Sequence, residues 1–419
     1  MSTRQDSCPI CESSSNLREI VDFGSQPNGN HLLSSISEPY KTSNLKFIQC
    51  TNCFLIIQQN TFTSNDLYDD HPYLTQHNIQ YLLELENFAD ICIEKSNIKE
   101  GMQILDIGCN DGSLLKIFKD KGISGIGVDP SKTSFKQSQS RGINVLQDFW
   151  SMNFAKKHKV LGLTPDLITS TASFYHMSDL HDWFAGIDKV LPKNGYFFTQ
   201  FVYSVTVIQN TSIDQFYHEH TYLHCLTSVY HLANKFNFQI IHLQNSESQG
   251  GSLIIGLKRR ESYYLDPSIA SIIESEKQFF SSNAISKLSD NLKNLKLDWK
   301  KFAQILLNKN IKLIGIGASL RGISLINFLE INPNVFEYLV EVNQAKVSKF
   351  TPKSLIPIVN ESTESLKVNY YIILAWTQKD FILNKFKDLI DRGSTFILPF
   401  PRIEVIGKDP LKLKRELGA

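Results

Sequence analysis

The stretch Ile104-Leu-Asp-Ile-Gly-Cys-Asn-Asp-Gly112 constrains this chain more than any other: an apolar run meets an acidic residue and a turn of small residues, and the amphipathic Leu114-Leu-Lys-Ile-Phe118 opens a helix behind it. Asp129 follows 23 positions after Asp106, at the end of a second apolar run, Gly125-Ile-Gly-Val-Asp129. The pattern is a βαβ unit with an acid where a ribose diol would be gripped. The spacing accommodates a methyl-donor cofactor, a nicotinamide cofactor or an unliganded core of the same shape. Two details favour the donor: the loop reads D-x-G-x-N-D-G without the glycines a pyrophosphate needs, and its extra acid suits the cationic amino group of a methionine tail.

Around this unit, residues 101–256 alternate short β-rich runs with helical stretches, the pattern of a mostly parallel sheet covered on both faces. Gln80 to about Ser96 shows helical spacing of apolar residues ahead of it. Between Ile272 and Asn310, Leu288, Leu292, Leu295, Trp299, Phe302 and Leu306 form one apolar stripe, read as a core-facing connector helix, with a partner-binding coiled coil as the alternative. A second α/β unit starts at Lys312, where Leu313-Ile-Gly-Ile-Gly-Ala318 is a strand entering a glycine turn. The expected fold class is α/β, divided into a small N-terminal module (1–75), a central Rossmann-like domain (76–260), a helical connector (261–310) and a C-terminal Rossmann-like domain (311–419).

Residues 1–75 are polar and irregular and can bury little apolar surface, so they need a staple. Cys8-Pro-Ile-Cys11 and Cys50-Thr-Asn-Cys53 supply one: two knuckles of paired thiolates make the four soft ligands of a closed zinc site. Four sulfurs leave no open position, so the expected Zn2+ is structural. A redox role lacks the strand-helix context that such motifs occupy.

Phe216-Tyr217-His218-Glu219-His220 follows the apolar run Tyr196–Phe201 and places titratable groups where ligands of open α/β sheets bind. It reads as a base with its supports, with a satisfied structural cluster or a second metal site through His218 and His220 as alternatives. His176 comes from the end of another expected strand and can face the same pocket or cap a helix. Lys+Arg 43 against Asp+Glu 42 gives no basic surface for nucleic acid or anionic lipid, and no run of 18 apolar residues suggests a membrane span. The N-terminus has no signal-peptide stretch, and the cytoplasm is the expected compartment.

In order along the chain, these motifs resemble those of the sugar C-methyltransferases, typified by the C-3 enzymes of branched deoxysugar pathways. The resemblance rests on the two cysteine pairs, Leu105–Gly112, Tyr217–His220, Gln249-Gly-Gly-Ser252, and a C-terminal series that includes Gly315–Ala318, Leu374-Ala-Trp376 and Leu398–Pro401. It implies S-adenosylmethionine bound by Asp106, Gly108, Asn110, Gly112, Asp129 and Phe149. It implies a nucleotide-linked keto-sugar, by family habit a dTDP sugar, deprotonated at C3 by His220 and methylated there. Tyr217 and His176 would bind the keto oxygen, Glu219 would orient the base, and Tyr73 would reach the substrate from the N-terminal module. Ala172, Gln200, Gln249 and Ile254 depart from the family pattern, which leaves the base in place and the sugar open. Methyl transfer to a sugar hydroxyl or another keto substrate, and an inactive zinc-containing scaffold, are the competing readings. The expected state is a monomer or weak oligomer.

Overall fold

A computed structural model describes residues 3–68, 71, 73–160, 162–261, 265–362, 365–367 and 369–407. The chain forms two compact units, and they do not follow its linear order. One comprises Met1–Ile20, Phe47–Val207 and Glu219–Asn283; the other comprises Val21–Lys46, Ile208–His218 and Ala284–Ala419. The packing therefore cuts across the expected linear division, because residues 21–46 pack with the C-terminal part and not with the cysteine knuckles.

The first unit is built on a seven-stranded sheet ordered Phe238–Ser246, Ser252–Arg259, Tyr196–Val202, Leu167–Thr171, Gln103–Ile107, Ser124–Val128 and Val145–Leu146. Neighbouring strands run parallel from Tyr196–Val202 to Val145–Leu146, while Ser252–Arg259 runs antiparallel to both its neighbours. The strand order reverses at Gln103–Ile107: its successor lies on one side and Leu167–Thr171 on the other. The crevice beyond the carboxyl ends of these two strands is where an open sheet accepts a ligand.

Helix Ile79–Ser96 covers this sheet. Asn78 caps its start by accepting from Tyr81 N, and Asn97 ends it in the left-handed conformation at φ 53°. Tyr81, Leu85, Phe88, Ala89 and Cys92 enter a core with Ile104, Leu114, Leu115 and Phe118. Leu83, which has the right character for that stripe, is 55% exposed.

A smaller sheet contains Thr42–Cys50 and Ile56–Gln58, and it is extended by Tyr222–Leu223 from far along the chain. In the second unit, five parallel strands (Ile358–Asn360, Phe336–Glu341, Leu313–Ile316, Tyr370–Ile373 and Thr395–Leu398) are closed by the antiparallel Glu404–Ile406. The expected connector is two helices, Pro267–Ser281 and Ala284–Asn308, interrupted at Ser282 and Asn283. Every residue of its apolar stripe from Leu288 to Leu306 is buried, and Trp299 Nε1 donates to Pro399 O at 2.8 Å.

Glu276, on the first of those helices, is a buried carboxylate at the start of helix Leu226–Lys235. It accepts from Leu226 N (2.8 Å), Thr227 N (2.7 Å), Thr227 Oγ1 (2.5 Å) and Tyr203 OH (2.7 Å). Replacing Glu276 with alanine orphans four donors, three of them buried, at a cost of about 3 kcal/mol. Thermal unfolding of Glu276→Ala is expected roughly 6–12 °C below wild type, with Glu276→Gln between the two.

Candidate active site

Strand Gln103–Ile107 ends in a loop that needs left-handed backbone three times: Gly108 (φ 71°), Asn110 (φ 49°) and Gly112 (φ 75°). A Cβ on Gly108 would run into Ser173 Oγ, and one on Gly112 would lie 2.6 Å from Ile143 Cγ2. Both positions therefore require glycine on two counts, conformation and space. Asn110 tolerates the left-handed conformation and uses it to bond in several directions.

Asp129, at the end of Ser124–Val128, accepts from Asn110 N (2.9 Å) and Ser131 N (3.0 Å). Burial raises its pKa against those two bonds. Asp106 lies beneath the loop, 2% exposed, accepting from Thr169 Oγ1 at 2.8 Å; burial pushes it up to about 7. Asp111, the extra acid of the loop, is fully buried and accepts from Ser113 N, Ser113 Oγ and Gln76 N, with Arg141 Nη1 3.4 Å away. Three buried carboxylates around one loop favour a cationic ligand, as a sulfonium bearing an ammonium group is. Each bonded oxygen of Asp129 keeps a lone pair for a hydroxyl. The residues thus fit the expected donor. Phe149, half-buried, lies three residues beyond Val145–Leu146, the strand paired with Gly127 and Val128.

A strap of chain crosses this loop. Asn110 accepts from Thr75 N (2.9 Å) and donates to Tyr73 O (3.0 Å) and Ser134 Oγ (3.1 Å), while Ser131 Oγ donates to His71 O (3.3 Å). The strap carries side chains to the acid–base cluster. His71 Nε2 stands 3.2 and 3.3 Å from the two carboxylate oxygens of Glu219, which is buried. Tyr73 is 43% exposed, its ring 6.5 Å from that of His71. Upstream, Tyr68 OH lies 2.9 Å from His176 Nδ1 and donates to Glu219 O at 3.1 Å.

His220 is fully buried. Its ring meets Tyr175 edge-on at 4.7 Å and stands at 85° to His176 at 5.3 Å. Tyr175 OH donates to Gln249 Oε1 at 3.2 Å, and Thr221 Oγ1 to His176 O at 3.3 Å. The structure thus brings Glu219, His220 and His176 together with Tyr68, His71 and Tyr175, which the sequence had not singled out. It gives the Glu219 carboxylate His71 as a partner. Tyr217 and His218 belong to the second unit: Tyr217 is buried, and His218 Nε2 lies 3.1 Å from Gln26 O. Among the described residues the only group of three or more ligands suited to a metal is that of the four cysteines, and it includes neither His218 nor His220.

In that cluster the sulfurs of Cys8, Cys11, Cys50 and Cys53 all lie within 4.8 Å of one another. A tetrahedron with Zn–S of about 2.3 Å has edges of about 3.8 Å, so the set fits zinc. Each knuckle turns the same way: Glu12 N donates to Cys8 O and Phe54 N to Cys50 O, with Glu12 and Phe54 both left-handed. Hydrogen bonding among the sulfurs pushes Cys8 and Cys53 up while it holds Cys50 down. Ionised together at this spacing, the four sulfurs would need a cation.

Comparison with known proteins adds two domains and a relative. Residues 72–243 match a family described as a methyltransferase domain, and residues 247–401 match the C-methyltransferase C-terminal domain. The C-methyltransferase NovU of Streptomyces niveus is 21% identical over 410 residues, spanning 96% of this chain and 97% of NovU. Among solved structures, the magnesium protoporphyrin IX methyltransferase of Synechocystis PCC 6803 with bound SAM is 14% identical with a TM-score of 0.34, covering 46% of this chain and 86% of its own. The PH0226 protein of Pyrococcus horikoshii OT3 is 17% identical with a TM-score of 0.36, covering 48% and 100% respectively.

Two imidazoles of this unit are held neutral by burial: His176 is lowered to about 4, and the fully buried His224 to about 3. Unfolded histidines titrate near about 6.5, so at lower pH the unfolded chain binds protons that the folded one refuses. The contribution of these two histidines to stability should therefore fall as the pH drops from about 6.5 towards about 4, opposed in part by Asp106, whose raised carboxyl binds its proton first in the folded chain. Urea midpoints measured across that window check it, and the slope should be shallower in His224→Phe.

Proposed function

Because the chain belongs to the C-methyltransferases, joining a methyltransferase domain to the C-methyltransferase C-terminal domain, we propose that it transfers a methyl group from S-adenosylmethionine to C3 of a nucleotide-linked 4-keto-deoxysugar. The observation that carries this reading is the buried His220, set at right angles to His176 within the unit that holds the donor loop. Bound in that loop, the donor supplies an electrophilic methyl on a cationic sulfur. The rest is the work of the chain.

A ketone acidifies the C–H bond beside it. His220 takes that proton, the C–H pair becomes the enolate, and the enolate carbon attacks the methyl as the carbon–sulfur bond breaks. His176 is neutral, so one ring nitrogen carries its single proton. Tyr68 OH has one hydrogen to give: when Nδ1 takes it in place of Glu219 O, Nε2–H is left to polarise the keto oxygen, and the enolate charge gathers on that oxygen. Glu219, paired with His71, keeps the peptide next to His220 in place. Tyr73, held through its carbonyl by Asn110, is suited to the sugar face. Tyr217 is assigned to the keto oxygen by the family resemblance. The donor is held at Asp129, with Asp106, Gly108, Asn110 and Gly112 shaping the loop and Phe149 flanking the donor's adenine. Zinc on the four cysteines is structural, and dTDP is the proposed carrier.

The test is mass spectrometry of dTDP-4-keto-6-deoxyglucose and its 2-deoxy and 3-amino relatives after incubation with S-adenosylmethionine in D2O. Wild type should add one methyl, and without donor it should exchange one carbon-bound proton for deuterium. His220→Ala should lose about 10²–10⁴-fold of both activities. Methylation without any deuterium exchange would move the reaction to a hydroxyl. Failure to bind the donor by calorimetry would leave only a scaffold.

A further inference from the structure

The segment that carries His220 continues into the cysteine knuckles. Tyr222 and Leu223 pair antiparallel with Ile57 and Ile56, and Gln58 N donates to Thr221 O at 2.8 Å. Cys225 Sγ reaches Cys53 O at 3.7 Å, and Gln5 Nε2, three residues before Cys8, donates to Tyr222 OH at 2.7 Å. On its other edge, Ile56–Gln58 pairs with Gln49, Ile48 and Phe47, the residues leading into Cys50. Ile56–Gln58 thus lies between a strand that ends at one knuckle and a strand that begins two residues past His220. The donor loop depends on other partners: Gln103–Ile107 pairs with Ser124–Val128 and Leu167–Thr171.

A ladder of two residues cannot hold itself against solvent. The Tyr222–Leu223 strand is held along one edge by Ile56–Gln58, whose chain leaves Cys53 three residues earlier, while Tyr203 and Ser204 meet the chain just past it at His224. We infer that the four-cysteine centre is a positioning device for the base: with its metal bound, the knuckles fix Ile56–Gln58, and that strand fixes the peptide carrying His220. The inference rests on His220 being the base. Gln5, Tyr222 and Ile56–Gln58 are then positioning residues. Misplacing a reacting group by about 1 Å costs on the order of 10²-fold in rate, so a modest shift of this peptide suffices.

The experiment compares zinc-loaded protein with protein stripped by a chelator, using amide hydrogen exchange resolved by peptide. Stripping should cost the peptides covering 219–225 at least about tenfold of their protection while those covering 103–112 change less than about twofold. S-adenosylmethionine should still bind by calorimetry within about threefold of the loaded affinity, while deuterium incorporation into dTDP-4-keto-6-deoxyglucose falls about 100-fold. Tyr222→Phe removes the Gln5 link, together with the hydroxyl's bond to Ser178 O, without touching a cysteine. It should keep one zinc per chain and an unchanged KM, and lose about fivefold to tenfold of kcat for exchange.

Full protection at 219–225 after stripping overturns the inference. So does simultaneous loss at 103–112, which would make the metal a general staple, or a Tyr222→Phe enzyme as fast as wild type. Should loaded wild type exchange no ketone at all, the C-methylation reading falls. The amide data, which need no substrate, would still decide whether the metal orders this segment.

Discussion

Asn110 bonds in four directions from a left-handed backbone, and the site is arranged around that fact. Its backbone amide holds Asp129, its side-chain oxygen holds Thr75, and its Nδ2 reaches Tyr73 and Ser134. One residue thereby locks the first strand's loop, the acid of the second strand and the strap into a single arrangement. The strap in turn brings His71 to Glu219, one residue from His220. A donor seated against Asp129 and an acceptor seated beside His220 would be held to one frame, and relative placement of two reactants is among the largest contributions a site can make.

Buried charge supports the same arrangement. Asp106, Asp111 and Asp129 are costly to bury, and each is met by a hydroxyl or amide donor: Thr169 Oγ1 from the neighbouring strand, Gln76 N from the strap and Ser131 N beyond the second strand. Glu276 uses the same chemistry for a purely architectural end, substituting for the missing acceptors of a helix start. The chain thus places carboxyl groups in two ways, one set around a loop where they favour a cation and one to seat a helix.

Local signals in the sequence were readable because local physics dictates them. The glycines at 108 and 112, the acid at 129, the cysteine pairs and the Leu288–Leu306 stripe each follow from a turn, a ligand set or a period of 3.6. Tyr68 and His71 were not readable, because their partners lie 108 to 151 residues away and nothing nearby marks them. Asp111 could be read as an acid of the loop, but its hold on Gln76, 35 residues earlier, could not. Tyr217–His220 reads as one cluster, yet packing assigns its first two residues to one unit and its last two to the other. The break at Ser282 and Asn283 was hidden by a stripe that resumes on its far side.

The interleaved course of the chain also bears on its biosynthesis. Residues 21–46 belong with a unit whose main part begins at Ala284, about 240 residues later. At roughly 5–20 residues per second a ribosome needs about 12–50 s to supply that partner. Meanwhile Leu33, whose mates include Phe350, must wait without its final packing. No single cut between adjacent residues yields two self-sufficient pieces, so a nascent chain released early would hold a finished cysteine centre beside an unfinished strand.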